Sequence, residues 1–197
     1  GYKDNKNYRF DGKFFGEIDL YKGLKFRSSL AYKFYMNDIT TFNPKSLAIY
    51  NAEGTELAPA GTQNTLTDYH YLETSYINEN ILTYNNTFGK HEIGILLGHS
   101  IQETRWDKNE ASKQGFPTDN IYEMDNGTQN DKVTGSAEET ALQSFFGRFN
   151  YNYDGRYLFE MNIRRDGSSR MPKNHRYATF PSFSAAWLIS NESFMQN

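Results

Sequence analysis

The 197-residue chain is long enough for one domain, and its net charge of −3 leaves no basic footprint of the kind nucleic-acid binders carry. It has no cysteine, which excludes a disulfide framework, a thiolate metal site and a catalytic thiol. Aromatics are abundant, with 15 Tyr, 15 Phe and 2 Trp, yet no run approaches the ~18 apolar residues of a membrane helix, and GYKDNKNYRF at the N-terminus has neither the basic nor the apolar region of a signal peptide.

Period-two alternation dominates and predicts seven strands. The first, about Phe10 to Tyr21, sets Phe10, Phe14, Ile18 and Leu20 against Lys13, Glu17 and Asp19, and Lys22-Gly23 turns the chain. The second, about Leu24 to Met36, is the cleanest: Leu24, Phe26, Leu30, Tyr32, Phe34 and Met36 oppose Lys25, Arg27 and Lys33. A polar stretch over about 37–70 follows, with Asn43-Pro44, Gly54, Pro59 and Gly61. The third strand, about Tyr71 to Phe88, turns at Gly89-Lys90 into a fourth, about His91 to Trp106, which aims Ile93, Ile95, Leu97 and Ile101 one way. After a second polar segment over 107–140, Phe145, Phe149, Tyr151 and Tyr153 oppose Arg148, Asn150 and Asn152. Beyond the Asp154-Gly155 turn, Tyr157, Phe159, Met161 and Ile163 oppose Arg156, Glu160, Asn162 and Arg164. A third loop, 165–176, leads to the last strand, about Tyr177 to Ser190.

Connections one, three and five are thus tight, and two, four and six are long. That rhythm is expected of antiparallel transmembrane β-barrel strands, with short turns periplasmic and long loops (37–70, 107–140, 165–176) extracellular. A compact soluble domain rarely carries two such long structureless loops. Single-chain bacterial barrels normally have even strand counts, and an open sheet in lipid leaves unsatisfied edges, so seven strands predict a stretch of a larger barrel. The fold class is therefore all-β, with residues 1–197 forming part of one barrel domain.

The last third adds a resemblance. FGR-x-NY-x-Y (Phe146, Gly147, Arg148, Asn150, Tyr151, Tyr153), then RY, then RRDGSSR (Arg164, Arg165, Asp166, Gly167, Ser168, Ser169, Arg170), then FPS-x-SAAW-x-IS (Phe180, Pro181, Ser182, Trp187) resembles the barrel signature of SusC/RagA-like TonB-dependent transporters of the bacterial outer membrane. LLGHSIQ (Leu96 to Gln102) and KQGFPTDNIYEM (Lys113 to Met124) look more loosely like the same family. The resemblance implies a barrel of about 22 strands with a plug and a TonB-contacting segment. It also implies uptake of an oligosaccharide or peptide with a SusD-like surface lipoprotein, and no enzymatic step or cofactor.

Candidate chemistry is sparse. His70, His91, His99 and His175 lack metal-ligand spacing, and His99 falls on the lipid-facing register. Glu138-Glu139, Asp119, Glu123, Asp125 and Asp131 sit in loops without a calcium-loop pattern or a fixed carboxylate pair, and read as solvated charge. RRDGSSR lacks the phosphate-loop frame; Asp166-Gly167 is expected to let the chain leave its strand sharply, with Arg164, Arg165 and Arg170 bonding neighbouring carboxylates or carbonyls. Arg164 and Arg170 are also candidates for direct ligand contact. Trp187 and Tyr157 suit an interfacial aromatic girdle, whereas Trp106, on the inward register, and Tyr122, in a loop, could stack on a sugar or peptide. The competing readings are a soluble β-sandwich glycan-binding module and, further off, a secreted β-rich glycoside hydrolase.

Overall fold

The computed structural model describes residues 1–45, 49–50, 52–58 and 63–195. Seven long strands form one sheet, and a short hairpin forms another. In chain order they are β1 (Tyr2–Tyr21), β2 (Leu24–Asn43), β3 (Ile49–Tyr50), β4 (Glu56–Ala58), β5 (Thr65–Phe88), β6 (His91–Gln114), β7 (Gln129–Tyr153), β8 (Tyr157–Ser168) and β9 (Tyr177–Trp187). The sheet order is β1-β2-β5-β6-β7-β8-β9, so each long strand lies beside its sequence neighbour, with β1 and β9 at the edges. β3 pairs with β4. Among the described residues there is no α-helix, and no helix is long and apolar enough to cross a membrane.

The tight turns carry the pairing. Asp154 (φ 55°) and Gly155 (φ 65°) both take the left-handed conformation, which Asp tolerates and Gly adopts freely, in a three-residue connection (154–156) closed by the Arg156 amide donating to the Tyr153 carbonyl (2.9 Å). The turn sets a continuous register from Tyr153 opposite Tyr157 to Leu142 opposite Ser168. β8 in turn pairs with β9 from Tyr157 opposite Trp187 to Gly167 opposite Tyr177. One face across these three strands therefore reads Phe149–Met161–Phe183, Tyr151–Phe159–Ala185 and Tyr153–Tyr157–Trp187. The other reads Arg148–Asn162–Ser182, Asn150–Glu160–Ser184 and Ser144–Asp166–Ala178.

Among the described residues no second layer covers the apolar face: Phe14 is 78% exposed and Phe183 71%, with Phe10, Ile18, Leu20, Leu97 and Trp187 also open. A sandwich would bury these rings between two sheets, so the sandwich expectation fails on the exposure of this face of the seven-stranded sheet.

Three expectations need correction. The strands run well into the polar segments assigned to loops: β2 continues to Asn43, just before Pro44; β5 begins at Thr65; β6 ends at Gln114; β7 begins at Gln129. The connections shrink to 44–64, 115–128 and 169–176. The reason is that a strand needs an apolar face only where something apolar lies against it; beyond that level backbone pairing persists under polar side chains. Gly54, at the β3–β4 turn, stays in a connection, while Pro59 and Gly61 fall outside the described residues.

Gly167 is also not a departure point. It remains in β8, between Gln143 and Tyr177. A Cβ there would lie 2.5 Å from the Tyr177 ring, so the position needs a glycine to let that ring cross it. The chain leaves the strand after Ser168. Finally, β9 stops at Trp187, and Ser190 lies in a 3-10 turn (Ile189–Asn191).

The chain divides into two compact units. One comprises 1–10, 33–74 and 105–138; the other 11–32, 75–104 and 139–197. The first holds the buried apolar side chains found among the described residues, Phe42, Leu66 and Phe116, with Tyr122 and Met124 packed on them. Asn64 ties the 115–128 connection to this cluster. Its Nδ2 donates to the Phe116 carbonyl (3.1 Å) and Asp119 (2.9 Å), and its Oδ1 accepts from the Phe116 amide (2.7 Å).

Candidate ligand-facing site

In the first unit, Trp106 lies near-parallel to Tyr71, with ring centroids 6.3 Å apart and planes 24° apart. Tyr71 meets Tyr35 at 6.0 Å, and the Tyr35 hydroxyl donates to Asn7 Oδ1 (3.0 Å). Four strands thus contribute to one row: Asn7 (β1), Tyr35 (β2), Tyr71 (β5) and Trp106 (β6). Beside it, the Tyr71 hydroxyl donates to Glu73 (2.6 Å), and Lys108 Nζ lies 5.5 Å from the Tyr69 ring centre. A half-buried stacked pair with a third ring tilted against it, flanked by one anion and one cation, can pack on a planar ligand face and bond its polar rim. The sequence singled out Trp106 as an aromatic on the inward register. Tyr35 and Tyr71 were not singled out, because they occupy the face opposite the apolar alternation that located their strands.

The structure gives Tyr122 a different place. It stacks on Tyr2 (4.7 Å, 10°) and meets Phe42 edge-on (5.0 Å) in the buried cluster. It packs the 115–128 connection onto the sheet, and does not join the Trp106 row.

In the second unit the polar face is a hydrogen-bonded ladder. Arg148 donates to Asn162 (2.8 Å), Asn162 to Glu160 (2.7 Å) and Asn152 to Glu92 (2.9 Å). Arg164 sits over the Phe146 ring (5.7 Å), donates to both Asp166 oxygens (2.8 and 2.9 Å) and reaches Ser144 (3.1 Å). Its donors thus join β7 to β8. Phe146 and Phe180 flank Arg164 in register on this face. Asn150 and Glu160 line a hollow of about 900 Å³ with Asn85, Gly94 and Ser184.

Arg165, on the apolar face, lies 4.9 Å over Tyr177. Ser169 closes the loop end: its amide donates to Ala141 O (2.9 Å), and its hydroxyl accepts from Ala141 N (2.8 Å). The Arg170 amide bonds Ser168 Oγ (3.3 Å), and its side chain is exposed. Pro181 and Ser182 are mid-strand partners of Ile163 and Asn162.

The tight-turn end carries a stacked row, Tyr153–Tyr157–Trp187, each step 6.3 Å, with His91 4.9 Å from Tyr153. Sequence reasoning missed its keystone, Glu192. It is 7% exposed and accepts from Tyr157 (2.8 Å), Trp187 (3.0 Å) and Arg156 (3.1 Å). The Tyr157 and Trp187 bonds, then Arg156, hold the Glu192 carboxyl below its ordinary range. The sequence signal for Glu192 was faint: a lone glutamate after the last strand. Asp154 is likewise held low, first by Lys90 (2.7 Å) and then by Arg156 (2.5 Å). Among the described residues no three His, Asp or Glu side chains converge on a metal position.

No family model matches the chain. Curated relatives do. The chain is 31% identical over 196 residues (98% of its length) to TonB-dependent receptor P3 of Formosa agariphila, and 32% identical over 198 residues to receptor P39 of the same organism. It is 30% identical over 165 residues, 77% of the chain, to TonB-dependent receptor SusC of Bacteroides thetaiotaomicron. It spans 19%, 18% and 16% of these three proteins. Among solved structures, the RagAB peptide transporter superposes with a TM-score of 0.85 at 24% identity, over 99% of this chain and 21% of that one. The RagAB importer in its open-open state gives the same score. Sequence and fold agree along the whole chain: it belongs to the SusC/RagA-like TonB-dependent transporters and corresponds to a stretch of their antiparallel barrel strands.

Proposed function

We propose that these strands form part of the wall of an outer-membrane transporter importing a bulky nutrient, an oligosaccharide or a peptide, driven through TonB and capped by a SusD-like lipoprotein. The observation that carries this reading is the two-faced sheet. An uncovered aromatic and aliphatic face suits lipid, and a hydrogen-bonded polar face suits a lumen. The edges at β1 and β9 support it further, since unpaired strand edges are untenable in hydrocarbon and call for more strands on either side. On this reading the tight turns Lys22-Gly23, Gly89-Lys90 and Asp154-Gly155 face the periplasm, and 44–64, 115–128 and 169–176 face outside. The Tyr35–Tyr71–Trp106 row then faces the lumen near the outer mouth, where an incoming ligand would first meet stacked rings.

The test is made in the full transporter. Shortening 115–128 should reduce lipoprotein co-purification, and Trp106→Ala with Tyr71→Ala should reduce ligand capture while the barrel stays folded. Intact lipoprotein binding and intact capture in both variants would refute the assignment.

A further inference from the structure

On the apolar face, at the end of β8 away from its tight turn, lies a hollow of about 240 Å³ lined by Ile101, Leu142, Gln143, Ser168, Arg176 and Tyr177. It is built, not incidental. The Tyr177 hydroxyl donates to Gln143 Oε1 (2.7 Å), Gln143 meets His99 Nε2 (3.1 Å), and the His99 ring lies 4.7 Å from Phe145. Arg165 rises on the same face, opposite Phe145 and Thr179, with its guanidinium over the Tyr177 ring.

The stretch from Arg164 to Arg176 carries five Arg or Lys and one acid, Asp166. Asp166 is bonded to Arg164 on the opposite face. Among the described residues, Arg165, Lys173 and Arg176 have no carboxylate partner; Arg176 reaches only the Met171 carbonyl (3.5 Å). The acids further along this face, Glu103 and Glu139, lie by Tyr76, which donates to Glu103. Alongside the hollow, the same face continues as Phe145, Ile163, Met161 and Phe183, all exposed.

We propose that this hollow and its cations hold the phosphorylated headgroup of a membrane lipid, whose acyl chains lie along the Phe145–Ile163–Phe183 strip. Charge complementarity selects the anion. The adjoining apolar strip selects an amphiphile over free phosphate. An arginine directed at lipid costs least at headgroup level, where a guanidinium can bond a phosphate in a fork. The inference rests on the reading of this face as lipid-facing.

The test uses the full transporter in non-ionic detergent, titrated with phosphatidic acid and, separately, with diacylglycerol of the same acyl chains, read by native mass spectrometry. The wild type should retain phosphatidic acid about tenfold more tightly, equivalent to about 1.4 kcal/mol. Arg165→Gln with Arg176→Gln should bring the ratio near one, while Arg148→Gln, on the other face, should not. An unchanged preference in the double variant overturns the proposal, as does displacement of the lipid by millimolar inorganic phosphate. The lipid-facing reading fails by a separate sign: neither lipid is retained and the protein stays dispersed without detergent.

Discussion

Gly98 and Phe146 belong to two separate sequence motifs, and the fold presses them together. A Cβ at Gly98 would lie 2.0 Å from Phe146 Cε2 and 2.2 Å from Cζ, so the ring must retreat by about 1.4 Å to reach ordinary contact at 3.4 Å. Retreat is opposed by Arg164, which sits over that ring and is bonded to Asp166. Gly98→Ala should therefore cost about 1–3 kcal/mol, the usual range for overpacking. Phe146→Ala alone should cost about 2 kcal/mol for a half-buried ring. With the ring gone the steric conflict disappears, and alanine, stiffer than glycine in a strand, should help. Gly98→Ala in the Phe146→Ala background should then stabilise by about 0.5–1 kcal/mol. The assay is a double-mutant cycle on the full protein in detergent, from denaturant midpoints. The sign reversal is the signature. An equal penalty in both backgrounds would refute the claim that the ring excludes a side chain at Gly98.

Further predictions concern the turn-end carboxylates and the two aromatic clusters. Glu192 and Asp154 are depressed carboxyls, so the stability they contribute is present above the ordinary carboxylate range, near pH 4, and is lost as pH falls through their lower folded values. Glu192→Gln should lower the melting temperature at pH 7, and the gap to wild type should close as the pH falls below the ordinary carboxylate range; a gap independent of pH would contradict the assignment. In the first unit, Trp106→Ala should weaken ligand capture by about tenfold, the loss of one stacked ring. Tyr122→Ala should leave capture unchanged but expose 115–128 to protease, losing about 2 kcal/mol from two aromatic pairs. Ligand titration and limited proteolysis separate the two roles, and the opposite result would exchange them.

The alternation of β7 and β8 was legible near the tight turn, because Asp154-Gly155 marks the reversal and from Arg148 to Ile163 one face is apolar and the other polar. Strand ends were not legible: residues 37–43, 65–70, 107–114 and 129–140 are mostly polar, with isolated apolar residues such as Phe42, Leu66 and Val133, so the period-two signal vanishes although pairing continues. Gly167 looked like a break because glycine usually marks one, and only the pairing with Tyr177 reveals a close approach instead. Trp106 was visible as an inward aromatic. Tyr35, Tyr71, Tyr122 and Glu192 owe their roles to partners distant in sequence, Asn7, Trp106, Phe42 and Arg156 among them, which no local window contains.

The central claim is that one face of this sheet meets lipid and the other meets water. This stretch has no cysteine, so single cysteines can be placed in it once any elsewhere in the full protein are replaced by serine. Phe149→Cys, Met161→Cys and Phe183→Cys, against Arg148→Cys, Glu160→Cys and Ser182→Cys, each carrying a fluorophore, should be compared in the reconstituted full protein for quenching by brominated acyl chains and by aqueous iodide. Lipid quenching confined to the first three and iodide quenching confined to the second is the predicted result. Iodide reaching both sets equally, with no lipid quenching of either, would contradict it.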